Sequence, residues 1–214
     1  MGTTAPAGKA LSPVSLSEEY PRVSRYLGSV PGGMAAYPAC RARSSIYHAV
    51  LAAAPGRLPR PQSLPSPVRE LLSGDAHGLW IPEVHQLATI LAIGDVFHLS
   101  AEAHSAWILQ QNRDMFNSIV YRAIMAFFSP DMLLQKASER WGNFHQGSTL
   151  EVRPDGESST RAYLNFPARL WDAELAGLYA APFIAGLERV HVQDVRVVLQ
   201  EITPTRAEFR ARWS

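Results

Sequence analysis

The carboxy-terminal third constrains the fold more than any other stretch. Residues 148–153 alternate, with Leu150 and Val152 to one side, and Pro154-Asp155-Gly156 is a tight-turn sequence. Residues 158–166 read as the return strand, which makes a β-hairpin. A second alternating run covers 190–202, where Val195, Val197 and Leu199 oppose Arg196, Val198 and Gln200. Thr203-Pro204-Thr205 turns it, and 207–213 is the last strand. Between the hairpins, 171–187 reads as an amphipathic helix with Leu175, Leu178, Tyr179 and Phe183 facing inward and a kink at Pro182. Two hairpins flanking a helix predict a four-stranded antiparallel sheet whose apolar face needs a helical cover.

The upstream sequence supplies that cover. Residues 1–19 read as a flexible tail, since they hold few large apolar side chains to offset the entropy of ordering. Residues 34–54 read as a helix with Pro38 in its first turn. Four prolines across 58–67 predict a linker, and 68–72 a short helix. A helix is expected over 83–97. Ser100 is placed to cap the next one, which either breaks near Asn112 or runs on through Phe116 to Phe127. Ser129-Pro130-Asp131 starts a helix over 131–141, with Met132, Leu133 and Leu134 buried and Gly142 at its C-cap. The expected architecture is α+β: one domain over 20–214, with a helical region 20–147 packed on a sheet-containing region 148–214.

Charge and cysteine content narrow the function classes. The chain has 214 residues, a net charge of +1 and only two lysines, Lys9 and Lys136, without the basic excess of a nucleic-acid binder. Its single cysteine, Cys40, makes neither an internal disulfide nor a zinc cluster. No run approaches 18 apolar residues, so no membrane span is expected, and without a secretory pattern at the amino terminus the expectation is cytoplasmic.

No catalytic or metal motif stands out. None of the seven histidines pair at i, i+4 in a zinc-binding pattern. His98 and His104, with Asp95 and Glu102 nearby, form a conceivable acid–base group, although structural histidines explain the spacing more simply. There is no Gly-x-Ser-x-Gly elbow, and residues 28–33 are a glycine-rich turn without the lysine of a phosphate loop. Cys40 stands beside Arg41 and Arg43, which would lower its pKa, or else it is a small buried side chain. Aromatic residues concentrate between 107 and 144, mostly at core spacing. His145 lies in an aromatic, glycine-bounded turn, where the simpler reading is a histidine bonded to helix carbonyls.

The carboxy-terminal layout also carries a resemblance. Ser129-Pro130-Asp131-Met132-Leu133-Leu134, the run from Trp141 to Gly147, Arg169-Leu170-Trp171 and the valine-rich hairpin ending at Trp213 together resemble an uncharacterised myxobacterial paralogous family. That family is similar to the superfamily of haem–nitric oxide/oxygen-binding domains, four-vinyl reductase domains and transport-particle subunits. The resemblance spans about 20–214 in layout. It implies helices on a four-stranded antiparallel sheet, and small-molecule sensing or subunit assembly. The haem-binding members have a proximal histidine on the helix before the sheet and a Tyr-x-Ser-x-Arg motif. Here Tyr163 matches, but Asn165 stands at the serine position and Pro167 at the arginine position, and 131–141 has no histidine. Haem is therefore disfavoured as the cofactor.

The resulting expectation is a non-catalytic sensory domain holding an apolar or planar small molecule, lined by His145, Trp141, Phe144, Trp107, Phe116 and Tyr163. The alternatives are a homodimeric scaffold subunit, or an enzyme built on His98, His104 and Asp95.

Overall fold

The computed structural model describes residues 15–52, 54, 62–74, 78–118, 125, 127–190 and 192–214. The helices are α1 (Leu16–Glu19), α2 (Pro21–Ser29), α3 (Ser44–Ala52), α4 (Ser66–Leu72), α5 (Glu83–Val96), α6 (Ala101–Phe116), α7 (Pro130–Arg140), α8 (Ala173–Leu178) and α9 (Ala180–Arg189). The strands are β1 (Arg41–Arg43), β2 (Trp80–Pro82), β3 (His145–Gln146), β4 (Thr149–Pro154), β5 (Ser159–Asn165), β6 (Arg196–Thr203) and β7 (Arg206–Arg212).

The two expected hairpins are β4–β5 and β6–β7, and they join through β5 and β7 into an antiparallel sheet of order β4-β5-β7-β6. Register places the apolar residues in rows. Leu150 faces Leu164, Leu164 faces Ala207, Ala162 faces Phe209 and Val197 faces Ala211. Because strand side chains alternate, this register sends Arg153, Arg161, Tyr163, Arg210 and Arg212 to the opposite, outer face. The inner face meets the helices in one continuous core, in which Tyr26, Leu87, Leu164, Leu170, Trp171, Leu175 and Phe209 are fully buried. Each buried side chain of this size contributes about 1.5–3 kcal/mol.

Helix α5 runs through the middle of that core. Of its fourteen residues only His85 and Val96 are not buried, the pattern of a helix packed on all sides. Ser100 accepts the Ala103 N–H to cap α6 as expected, and Ser129 caps α7 through the Met132 N–H with Pro130 in the first turn. Among the described residues no single helix is long and apolar enough to cross a membrane; the chain turns through 119° between α5 and α6.

Several boundaries differ from expectation. The helix over 34–54 is only α3. Before it come a 3-10 turn at Gly33–Ala35, the left-handed residue Tyr37 (φ 50°) and strand β1. β1 is extended because it pairs on both sides, with β2 and β3, in a second, three-stranded sheet. The helix over 171–187 is two helices that break at Tyr179, three residues before Pro182. A proline clashes with the carbonyl four residues back, here that of Leu178, so the break belongs there. Of the three residues expected to be buried on α7, Leu134 is, Leu133 is partly so, and Met132 is 45% exposed. α7 ends on Trp141 in the right-handed helical region, so Gly142 is not its C-cap. Leu16–Glu19 is helical within the expected tail, with Glu18 accepting from the Ser15 N–H and hydroxyl. Of the expected proline linker 58–67, residues 58–61 lie outside the described residues, and 66–67 belong to α4, whose first turn takes Pro67; the run-on of α6 through 119–124 also lies outside the described residues.

Candidate functional site

The second sheet brings together three segments far apart in sequence. Pro82 ends β2 and leads directly into α5, so Glu83 occupies the first turn, where its N–H donates to the Cys40 carbonyl at 3.0 Å. The unsatisfied N–H groups and dipole of a helix N-terminus favour a carboxylate there. Glu83 is 0% exposed.

β3 pairs with β1 through Ala42 and His145, which carries the imidazole to that carboxylate. His145 Nδ1 lies 2.9 Å from Glu83 Oε1, and Nε2 lies 2.9 Å from the Tyr179 hydroxyl. The break between α8 and α9 holds Tyr179 in place. Trp141 stacks on the His145 ring at 4.2 Å between centroids, and Trp171 meets Tyr179 edge-on at 4.1 Å. Burial, with the Glu83 charge in second place, pushes the Tyr179 hydroxyl pKa well above its ordinary value. The result is a carboxylate–imidazole–phenol chain closed off by two indoles.

The chain has hydrogen-bonding capacity left over. Glu83 Oε2 is buried without a hydrogen-bond partner among the described residues, and so are both amide atoms of Gln86, one turn along α5. Gln86 is 1% exposed. The Trp171 indole N–H is likewise unpartnered.

The six candidate lining residues do not converge. His145 and Trp141 are in direct contact, whereas Phe144 is 42% exposed just before β3. Trp107 stacks near His104 on α6 at 5.9 Å, and Phe116, at the far end of that helix, lies beside Gly186 of α9. Tyr163 is on the outer sheet face between the guanidinium groups of Arg153 and Arg206, at 5.3 and 4.4 Å. Glu83, Gln86 and Tyr179 were missed. An acid in the first turn of a helix ordinarily reads as a solvent-exposed cap, and nothing local in the sequence marks Glu83 as the partner of a residue 62 positions away.

The His98, His104 and Asp95 group is not a hydrogen-bonded constellation. Asp95 accepts the backbone N–H groups of Arg22 and Val23, and the Arg22 guanidinium lies beside it. His98 sits in a left-handed turn after α5 (φ 50°). His104 is 0% exposed, with neither ring nitrogen hydrogen-bonded among the described residues; burial, then the Arg22 charge, lowers its pKa to about 4. The Cys40 thiol is pushed up by burial and by Glu83, so Arg41 and Arg43 do not make it a reactive thiolate. Among the described residues no group of three or more His, Cys, Asp or Glu side chains is arranged to hold a metal ion.

No family model matches the sequence, and no curated protein matches it. Solved structures do. The Fe(II) unliganded H-NOX protein from K. algicida superposes with a TM-score of 0.53 at 11% identity, over 80% of this chain and 96% of that one. The chain has the H-NOX fold. A mutant H-NOX structure from T. tengcongensis also matches, with a TM-score of 0.45 at 8% identity over 92% of this chain and 97% of that one. At such identity the likeness concerns the fold, and the expected α+β layout of helices on a four-stranded antiparallel sheet is the one observed.

Haem is the group that the resemblance to the haem-binding members implies, and the residues present do not fit it in the mode set out above. α7, the helix before the sheet, has no histidine. The nearest one, His145, has both ring nitrogens engaged and one face covered by Trp141. Tyr163 points away from the helical layer, under two guanidinium groups. His104 is closed in by Gly94 and the cationic Arg22.

Proposed function

We propose that this chain is a non-catalytic, small-molecule-binding sensory domain built on the H-NOX fold, with its ligand held at Glu83, Gln86, His145 and Tyr179 beneath Trp141. The observation that carries this reading is Gln86. The large majority of buried side-chain polar atoms in folded proteins have a hydrogen-bond partner. Here a fully buried amide offers a donor and an acceptor, three residues along α5 from a buried carboxylate oxygen, and no described residue uses any of the three. A planar molecule presenting a complementary donor–acceptor edge matches that set, with the two indoles supplying apolar walls. The His145 and Tyr179 pairings are complete without it, so they fix the geometry of the site rather than perform chemistry on the ligand.

Native mass spectrometry of the purified protein, compared with its denatured mass, tests the reading. Extra mass that is lost on denaturation, and absent from a Gln86→Leu variant that still folds, supports it. A bare native mass together with a Gln86→Leu variant of higher stability sinks it, because that is how a solid core with an unneeded amide behaves.

A second reading, a homodimeric scaffold, is favoured by one feature. Phe127 is 85% exposed and Met132, five residues on, is 45% exposed. The same native spectrum reports it: a dimer abolished by Phe127→Ser supports assembly, and a monomer at high concentration removes it.

A further inference from the structure

The outer face of the four-stranded sheet concentrates arginine at one end. Arg196 on β6 and Arg212 on β7 are direct register partners, as are Val198 and Arg210 on the next outward row. Like charges directly opposite each other across two strands repel. Neither Arg196 nor Arg212 forms an ion pair among the described residues. Asp194, the acid nearest to Arg196 in sequence, accepts a hydrogen bond from the Ser214 hydroxyl. Arg210 is held in place by Asp155 at 2.8 Å and by the Ser159 hydroxyl at 3.3 Å.

These residues line a groove. Arg196, Val198, Gln200, Arg210 and Arg212 form its walls, and Val198 is 52% exposed. A β-bulge between Leu199 and Glu201 puts an extra residue, Gln200, at the groove's far end. Bulges of this kind re-aim a side chain and recur beside binding sites.

We propose that this groove is a binding site for a phosphate monoester, with the phosphate between Arg196, Arg210 and Arg212 and the organic part over Val198. The charge count commits the proposal to a dianion. Two of the three guanidinium groups form no ion pair among the described residues, and the third shares Asp155 with Arg161. Guanidinium forks match phosphate oxygens in pairs, and a dianion between Arg196 and Arg212 turns their repulsion into attraction on both sides. Gln200 adds a neutral donor at the rim, and the exposed isopropyl group of Val198 favours an ester over inorganic phosphate. The site lies on the sheet face opposite the helical layer, so it is independent of the ligand proposed for Gln86.

NMR titration of the arginine side-chain Nε–H signals tests this, using inorganic phosphate, phenyl phosphate and, at matched ionic strength, sodium chloride. Saturable shifts of the Arg196 and Arg212 signals with both phosphates, at least about threefold tighter for phenyl phosphate, are expected, with no saturable response to chloride. The double variant Arg196→Gln/Arg212→Gln should weaken binding at least tenfold, whereas Arg206→Gln, at the other end of β7, should leave it unchanged. The double variant removes a repulsive pair, so it should fold with an equal or higher Tm. A response that follows ionic strength alone, or that survives the double variant, overturns the site. Equal affinity for the two phosphates overturns the role of Val198. Binding of an acidic peptide such as tetraglutamate in place of either phosphate overturns the ligand class.

Discussion

A Cβ placed on Gly94 would stand 2.8 Å from Nδ1 and 2.9 Å from Cε1 of His104, so α5 and α6 meet at a point where only a hydrogen fits. The same Cβ would run into Nη1 of Arg22, and that guanidinium has little freedom to retreat. Its Nε is 2.9 Å from Glu174, and its Nη2 donates to the Leu99 carbonyl. Gly94→Ala should therefore destabilise the protein by about 1–3 kcal/mol, the usual scale of overpacking, and this outweighs the roughly 1 kcal/mol gain in helix propensity. Gly177→Ala on α8, where a Cβ meets nothing within 4 Å, should instead stabilise by about 0.5–1 kcal/mol. Urea denaturation of the two variants gives opposite signs if the contact is as described.

His104 should also shape the acid limb of stability. Its folded pKa, about 4, lies below the ordinary 6.5, so between those values the unfolded chain binds the proton and the folded chain does not. Stability then rises with pH across that window, and acidification from 6.5 to 4 removes up to about 3 kcal/mol. The Asp95 and Glu174 carboxyls, pushed up by burial, work in the opposite direction. They remain in a His104→Leu variant, so the difference between its stability–pH curve and that of the unaltered protein isolates the histidine. That difference should be flat above pH 6.5 and should grow below it.

The Glu83–His145–Tyr179 chain predicts energetic coupling. Glu83→Ala leaves the buried Nδ1 of His145 without its partner and should cost about 1–3 kcal/mol, with Tyr179→Phe costing less. The two substitutions share His145, so a double-mutant cycle should return a coupling of at least about 0.5 kcal/mol. Strict additivity in thermal or urea unfolding would mean that the chain does not act as a unit.

Asp172 caps α8 by accepting the Leu175 N–H at 2.8 Å. α8 is only six residues long, so the cap satisfies a large share of its free donors. Asp172→Ala should lower stability by about 1 kcal/mol, and Asp172→Ser should restore most of it in the same unfolding assay.

How much of this was legible in the sequence follows from the range of each interaction. The hairpins were, because alternation and turn chemistry are local: Leu150, Val152, Val197 and Leu199 marked the inner face before any partner was known. The caps at Ser100 and Ser129 were legible for the same reason. β1 was not. Residues 41–43 look helical beside their own neighbours, and only pairing with residues 80–82 and 145–146 extends them. Half of the buried cluster around His145 was therefore visible. His145 and Trp141 stood out as an aromatic turn, whereas Glu83, Gln86 and Tyr179 acquire their roles through contacts that no local pattern encodes. Tyr163 drew attention through a motif position, and strand alternation alone places it on the other face of the sheet from Leu164.

The small sheet has a kinetic consequence. Ala42 meets both Ile81 and His145, so the sheet closes only after three distant stretches of chain have come together, each at a cost in loop-closure entropy. Such contacts form late in folding, after the local hairpins and helices. With only two or three residues per strand, they are also placed to open first. The amides of Arg43 and Glu83, which bond to Phe144 and Cys40, should then exchange with solvent deuterium sooner than those of β5 and β7. On that timescale Glu83 and His145 should come into reach of solvent while the large sheet stays intact, and such an opening would give the ligand proposed above a way into a cluster that the folded structure keeps shut.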